Sequence, residues 1–100
     1  MISFDALESA HRDIVPRLQM LCDAVREAGE KDQLIFFDDI RIRIEKALSV
    51  EELLEPFLAL STSAFRGFSM NWESIAILDE VLETSSHISE ILARDGTTVH

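Results

Sequence analysis

A chain of 100 residues, with 47% hydrophobic and 28% charged residues, has the length and composition of one folded domain with a single core. The formal net charge of −10 argues against direct binding to nucleic acid, because contact with phosphates needs clustered Lys and Arg. The single cysteine, Cys22, excludes an internal disulfide and a cysteine-based zinc site.

The first predicted helix runs from Phe4 to Ala28. The residues of its buried seam, the line of side chains expected to face the core, are spaced alternately three and four residues apart. They are Phe4, Leu7, His11, Ile14, Leu18, Leu21 and Val25. Ser3 is placed to cap its start, and Gly29 to end it in the left-handed conformation. Pro16 lies off the seam and is predicted to kink the helix or divide it in two. If the other helices of the chain cover this seam incompletely, it can pack against the same seam of a second copy. The sequence therefore also predicts a possible homodimer through this helix.

The segment LIFFDDIRIRIEKAL, residues 34–48, has two interpretations. Three isoleucines alternate with two arginines at 40–44, which is typical of a strand. The same segment also places apolar residues on one face of a helix, at Phe37, Ile40, Ile44, Ala47 and Leu48. We expect a helix, because the rest of the sequence offers no second strand to pair with.

The third predicted helix begins at the sequence SVEE, a capping box in which Ser49 caps and Glu52 reaches back. Its predicted buried face contains Val50, Leu53, Phe57, Leu60 and Ala64, and is widened by Leu54, Leu58 and Phe65. Pro56 is a point at which the helix can restart, and Gly67 is expected to end it.

The fourth predicted helix runs from Trp72 to Ala93, is capped by Ser69 or Asn71, and closes at Asp95-Gly96. It carries two apolar seams: Ile75, Leu78, Leu82 and Leu92 on one, and Ile77, Val81, Ile88 and Ile91 on the other. The sequence thus predicts a single all-α domain over residues 1–100, an antiparallel bundle of four helices, or five if a proline divides one. No leader or membrane span is recognised, so the cytoplasm is expected.

Two sets of residues suggest metal binding as an alternative function. Glu8 and His11 form an E-x-x-H pair, the spacing with which di-iron bundles point two ligands inward. Glu83 and His87 lie one turn apart on the fourth helix and would complete a site for a divalent ion. The bundle would then be a helical metal-binding protein.

A second alternative rests on the sequence ESIAIL, which starts at Glu73. This stretch resembles the Asp-Ser-Leu start of the second helix in acyl carrier proteins, with Glu73 and Ile75 in place of Asp and Leu. In that family the serine carries a phosphopantetheine arm, so the resemblance implies Ser74 as an attachment site. It covers about a dozen residues of this chain.

The main hypothesis is a non-enzymatic interaction module that needs no cofactor. Aromatic residues, Met and Arg are enriched at protein–protein hot spots, and Phe65, Arg66, Phe68, Met70 and Trp72 cluster between the last two helices. These large side chains can instead close one end of the bundle, and the two roles can coexist. We expect a regulator or inhibitor that covers a basic surface of another protein, through Arg66, Phe68, Trp72, Glu73, Glu80, Glu83 and Glu90.

Overall fold

The structure, a computed structural model, describes residues 5–63 and 67–98, with side chains considered through Ala93. The described residues are all-α, with α1 (Ala6–Ser9), a π-helical turn (Ala10–Ile14), α2 (Val15–Glu27), α3 (Lys31–Lys46), α4 (Glu51–Ser61) and α5 (Trp72–Thr98). α1, the π-helical turn and α2 follow one another without a break, so the described residues form four continuous helices. The predicted all-α bundle is confirmed. The predicted cap Ser3 and the residues Phe4, Ala64, Phe65 and Arg66 lie outside the described residues.

Pro16 perturbs the first helix without dividing it. Proline has no N–H to donate to the preceding turn, and its ring crowds the carbonyl four residues back. The turn before it widens into a π-helix, in which the Val15 N–H donates to the carbonyl oxygen of Ala10. Arg17 donates from Nη1 to the carbonyl oxygen of Asp13 over 2.6 Å. Pro16 itself is exposed, as its off-seam position predicts.

Local signals fix most of the helix ends. Asp5 caps α1 by accepting the N–H of Glu8 on its Oδ1 at 3.1 Å. Gly29 has φ of +76° and follows α2 as predicted. The Gly29 N–H donates to the carbonyl oxygen of Arg26, and the Glu30 N–H donates to that of Val25. These are the two hydrogen bonds of a Schellman motif.

Residues 31–46 form a helix, as the absence of a partner strand predicts. Phe37, Ile40 and Ile44 lie on its buried face. The prediction for Leu48 was wrong, because the backbone turns to an extended conformation at Ala47. Leu48 therefore leaves the helical face, and its side chain is 86% exposed.

The capping box at the start of α4 forms only in part. Glu52 Oε2 accepts the backbone N–H groups of Leu48 and Ser49 at 2.6 Å and 3.0 Å. Ser49 does not cap the helix with its own side chain, because α4 starts at Glu51 with Val50 as its N-cap. The helix also continues through Pro56 without restarting.

The last helix begins where the sequence predicts and ends later. Asn71 is the cap, since its Oδ1 accepts the N–H of Ser74 at 2.9 Å. The predicted end near Ala93 was wrong, because α5 continues through Asp95 and Gly96 to Thr98. A glycine inside a helix costs only about 1 kcal/mol relative to alanine, which is too little to end a long helix by itself.

The core forms around the first helix. α3 and α5 both pack against α2, and α4 packs mainly against α3. The predicted heptad seam lies at the centre, where Ile14, Leu18 and Leu21 are completely buried. Because α3 and α5 cover this seam from within the chain, the packing removes the reason for expecting a homodimer through it.

Two further properties follow from helix length and composition. α5 has 27 residues, which corresponds to about 40 Å of helix and explains the long axis of 46 Å. Within the described residues, no helix is both long enough and apolar enough to cross a membrane.

Candidate partner-binding site

The predicted aromatic cluster divides between core and surface. Phe68 packs against Phe36 and Phe37, with ring centroids 5.4 Å and 5.9 Å away. Trp72, four residues later, is 87% exposed. Phe68 therefore closes the end of the bundle, while Trp72 is available to a partner. Arg66, the charged member of the cluster, lies outside the described residues.

The segment before Trp72 is held in place by a buried glutamine. Gln33 on α3 is 4% exposed, and its Nε2 donates to the carbonyl oxygen of Ser69 at 2.8 Å. Together with the packing of Phe68, this bond ties the segment 67–71 to α3. Trp72 is thus an exposed side chain on a fixed base, which lowers the entropy lost when a partner orders it.

The four acidic residues predicted for the site are all exposed on α5, at Glu73, Glu80, Glu83 and Glu90. Glu83 and Glu90 lie eleven and eighteen residues after Trp72, and at about 100° per residue both spacings are within about 20° of a whole number of turns. Trp72, Glu83 and Glu90 consequently lie along one stripe of the helix. Asp79 is also exposed and lies next to this stripe. Asp79 was not predicted to belong to the site, although it lies seven residues after Trp72, a spacing that places both on the same side of a helix.

We call the exposed side of α5 that contains this stripe and the neighbouring carboxylates, formed by Trp72, Glu73, Asp79, Glu80, Glu83 and Glu90, the acidic face. Only Glu80 of these has an ion pair within the described residues, a long contact of 3.8 Å to Arg17. Acids elsewhere are paired at closer range, as in the contacts of Arg41 with Asp38 at 2.9 Å and with Glu45 at 2.6 Å. The negative charge of the acidic face is therefore largely uncompensated.

The serine that suggests a carrier protein is not accessible. Ser74 is 1% exposed in the first turn of α5. A phosphopantetheinyl arm needs a hydroxyl group that a transferase can reach, and this one is covered in the folded chain. Ser74 instead contributes its backbone N–H to the Asn71 cap.

The residues proposed as metal ligands are not brought together. His11 Nε2 donates to the carbonyl oxygen of Ile44 at 2.8 Å, so the ring bonds to the last turn of α3. Glu83 and His87 are exposed on α5. Among the residues that the structure describes, no group of three His, Cys, Asp or Glu side chains could hold a metal ion.

Cys22 is a core residue with low reactivity. Its side chain is completely buried, and burial, followed by the nearby carboxylate of Asp38, raises the pKa of its thiol to about 11. A higher pKa leaves less thiolate at any given pH below it. At pH 8 we expect native Cys22 to react with iodoacetamide about 100-fold more slowly than the denatured chain, as measured by intact mass. Equal rates in the two states would contradict this burial.

Two apolar residues on α4 lie where the sequence does not predict them. Leu54 and Leu58 were expected to widen the buried stripe of this helix, and that expectation was wrong. They are 62% and 65% exposed, because among the described residues α4 packs mainly on α3 and only slightly on α5.

Comparison of the chain with protein-family models, with curated proteins and with solved structures gives no match. Any proposal about function therefore rests on the geometry of the described residues.

Proposed function

We propose that this protein is a non-enzymatic regulator that binds a basic surface of another protein and blocks it. The observation that carries the proposal is the acidic face of α5, where the exposed Trp72 lies in line with the carboxylates of Glu83 and Glu90, neither of which has an ion pair within the described part of the chain. An aromatic anchor beside uncompensated charge is the composition expected of a recognition surface.

The two components of the face have different physical roles. Its carboxylates create a negative potential that speeds the approach of a basic partner and disfavours an acidic one. Trp72 supplies a large apolar area, and burial of such side chains provides most of the affinity in protein complexes. Inhibition follows by occlusion, because a surface covered by α5 cannot bind its usual ligand.

The electrostatic part is tested by reversing two charges. The partner is first captured from a lysate of the native host with the wild-type protein, and then purified. We expect Glu83→Lys/Glu90→Lys to weaken its binding about tenfold or more at low salt, since exposed interface charges act through long-range attraction. The variant should also flatten the dependence of affinity on salt concentration, measured by titration calorimetry.

A matched control separates the local effect from a change in net charge. Glu27→Lys/Glu30→Lys introduces the same four units of charge at exposed positions near the end of α2. This control should retain most of the affinity. If both double variants weaken binding equally, or if neither changes it, the acidic face is not the surface that binds the partner.

A further inference from the structure

An open apolar groove lies between α4 and α5. Its volume is about 580 Å³. The groove exists because α4 packs mainly on α3 while α5 packs on α2, so the two helices contact each other little. Its walls contain Leu53, Leu54, Phe57 and Leu58 from α4, with Ser85, Ser86, Ser89 and Leu92 from α5.

The two walls differ in shape. On α4, the exposed Leu54 and Leu58 are four residues apart, which places them on successive turns and forms an apolar ridge. On α5, Ser86 and Ser89 are small and exposed, so they leave room beside the ridge. Each wall extends over about two helical turns, or roughly 12 Å. This length fits two or three anchoring side chains of an added helix.

The charge around the groove determines what kind of helix fits. Between Ala47 and Ala93 the sequence contains no Lys or Arg except Arg66, and the next base, Arg94, directly follows the last residue of the groove wall. Glu51 lies one turn before Leu54, and Glu90 directly follows Ser89. Both are exposed, and neither has an ion pair within the described residues. The groove therefore has one carboxylate beside each wall, Glu51 on α4 and Glu90 on α5, which we call its acidic rims; Arg43 and Lys46 lie in the same neighbouring pocket as Glu51.

We propose that this groove binds an amphipathic helix of the partner protein, with Leu-like residues on one face and Lys or Arg on its flanks. The inference rests on the proposed function, since it names the element of the partner that the acidic protein recognises. A second copy of this chain is a poorer occupant, because a two-fold pairing of this face would oppose acidic rims to acidic rims.

The probe for this inference is a synthetic amphipathic helix of about 18 residues built from Leu and Lys. It is titrated into the ¹⁵N-labelled full chain, and its affinity is measured by fluorescence anisotropy. We expect chemical-shift changes centred on Leu54, Leu58 and Ser89. The double variant Leu54→Ser/Leu58→Ser should bind the peptide about tenfold more weakly or worse, since buried Leu anchors are lost.

Matched variants and peptides make the outcome specific. Met20→Ser/Ile35→Ser removes two apolar side chains that are also exposed, at 55% and 69%, but lie on α2 and α3 outside the groove. This control should bind the peptide as the wild type does. A peptide with Glu in place of every Lys should not bind, because the groove rims repel it.

Several results would overturn the groove inference. The first is that the Leu/Lys peptide does not bind the wild-type protein at about millimolar concentration. The second is that the Leu54→Ser/Leu58→Ser variant binds this peptide as tightly as the wild type does. A third is self-association of the chain that disappears in the same variant, which would identify a second copy as the occupant. If the serine variant binds normally while Glu83→Lys/Glu90→Lys binds weakly, the groove inference fails and the acidic face remains the proposed site. The proposed function is tested separately, by the affinity of the captured partner for the Glu83→Lys/Glu90→Lys variant and its matched control.

Discussion

Replacing Phe37 by alanine is expected to lower the free energy of unfolding by about 3–5 kcal/mol, the usual cost of removing a buried phenylalanine ring. Phe37 is completely buried on α3. Its ring meets Phe36 edge to face at 5.0 Å and lies 5.9 Å from Phe68. The substitution therefore removes both a large apolar surface and the support for the segment that precedes Trp72.

The loss should be measured by urea unfolding followed by far-UV circular dichroism. Fluorescence of Trp72 is a poor probe, because this side chain is already 87% exposed in the folded chain. Ile35→Ala on the same helix is the matched control, since Ile35 is 69% exposed and its loss should change stability by less than about 0.5 kcal/mol. A loss below about 1.5 kcal/mol for Phe37→Ala would mean that the aromatic cluster does not pack as described.

Replacing Trp72 by alanine is expected to weaken binding of the captured partner by about 30-fold, which corresponds to the roughly 2 kcal/mol typical of a hot-spot residue. The unfolding free energy should change by less than about 0.5 kcal/mol, because the side chain is exposed. Large loss of affinity with unchanged stability is the combination that distinguishes a binding residue from a core residue.

Salt dependence separates the role of Trp72 from that of the carboxylates. The affinity loss caused by Trp72→Ala should be the same at low and high salt, because apolar burial is not screened by ions. The loss caused by Glu83→Lys/Glu90→Lys should shrink as salt increases. Ile35→Ala is the control for a large exposed apolar residue on a different helix, α3. Normal binding by Trp72→Ala would remove Trp72 from the proposed site.

Most of the secondary structure could be predicted because its signals are local. The seam through Ile14, Leu18 and Leu21 is set by spacing within one helix. The left-handed turn at Gly29 and the cap at Asn71 depend on residues within about one turn. Signals of this kind need no knowledge of neighbouring helices. The predictions for Leu48 and Gly96 were wrong, because both depended on the residue at which a helix ends.

The candidate site could be predicted only in part. The exposure of Glu73, Glu80, Glu83 and Glu90 follows from their charge, because unpaired carboxylates are rarely buried. The different fates of Phe68 and Trp72 do not follow from their residue types, since both are large aromatic side chains in the same short segment. Packing against Phe36 and Phe37 decides that Phe68 is covered and Trp72 is not.

The sequence by itself determined the helices, their main buried faces and the acidic character of the last one, because these depend on residue type and on spacing along one chain segment. Only the tertiary structure decided which apolar residues are covered. Leu54 and Leu58 have the same residue type as the buried Leu53 and Leu60 on the same helix. They stay exposed because α5 packs on α2 rather than against this side of α4. Burial is a property of the neighbouring helix, and the spacing of one helix does not encode where its neighbour lies.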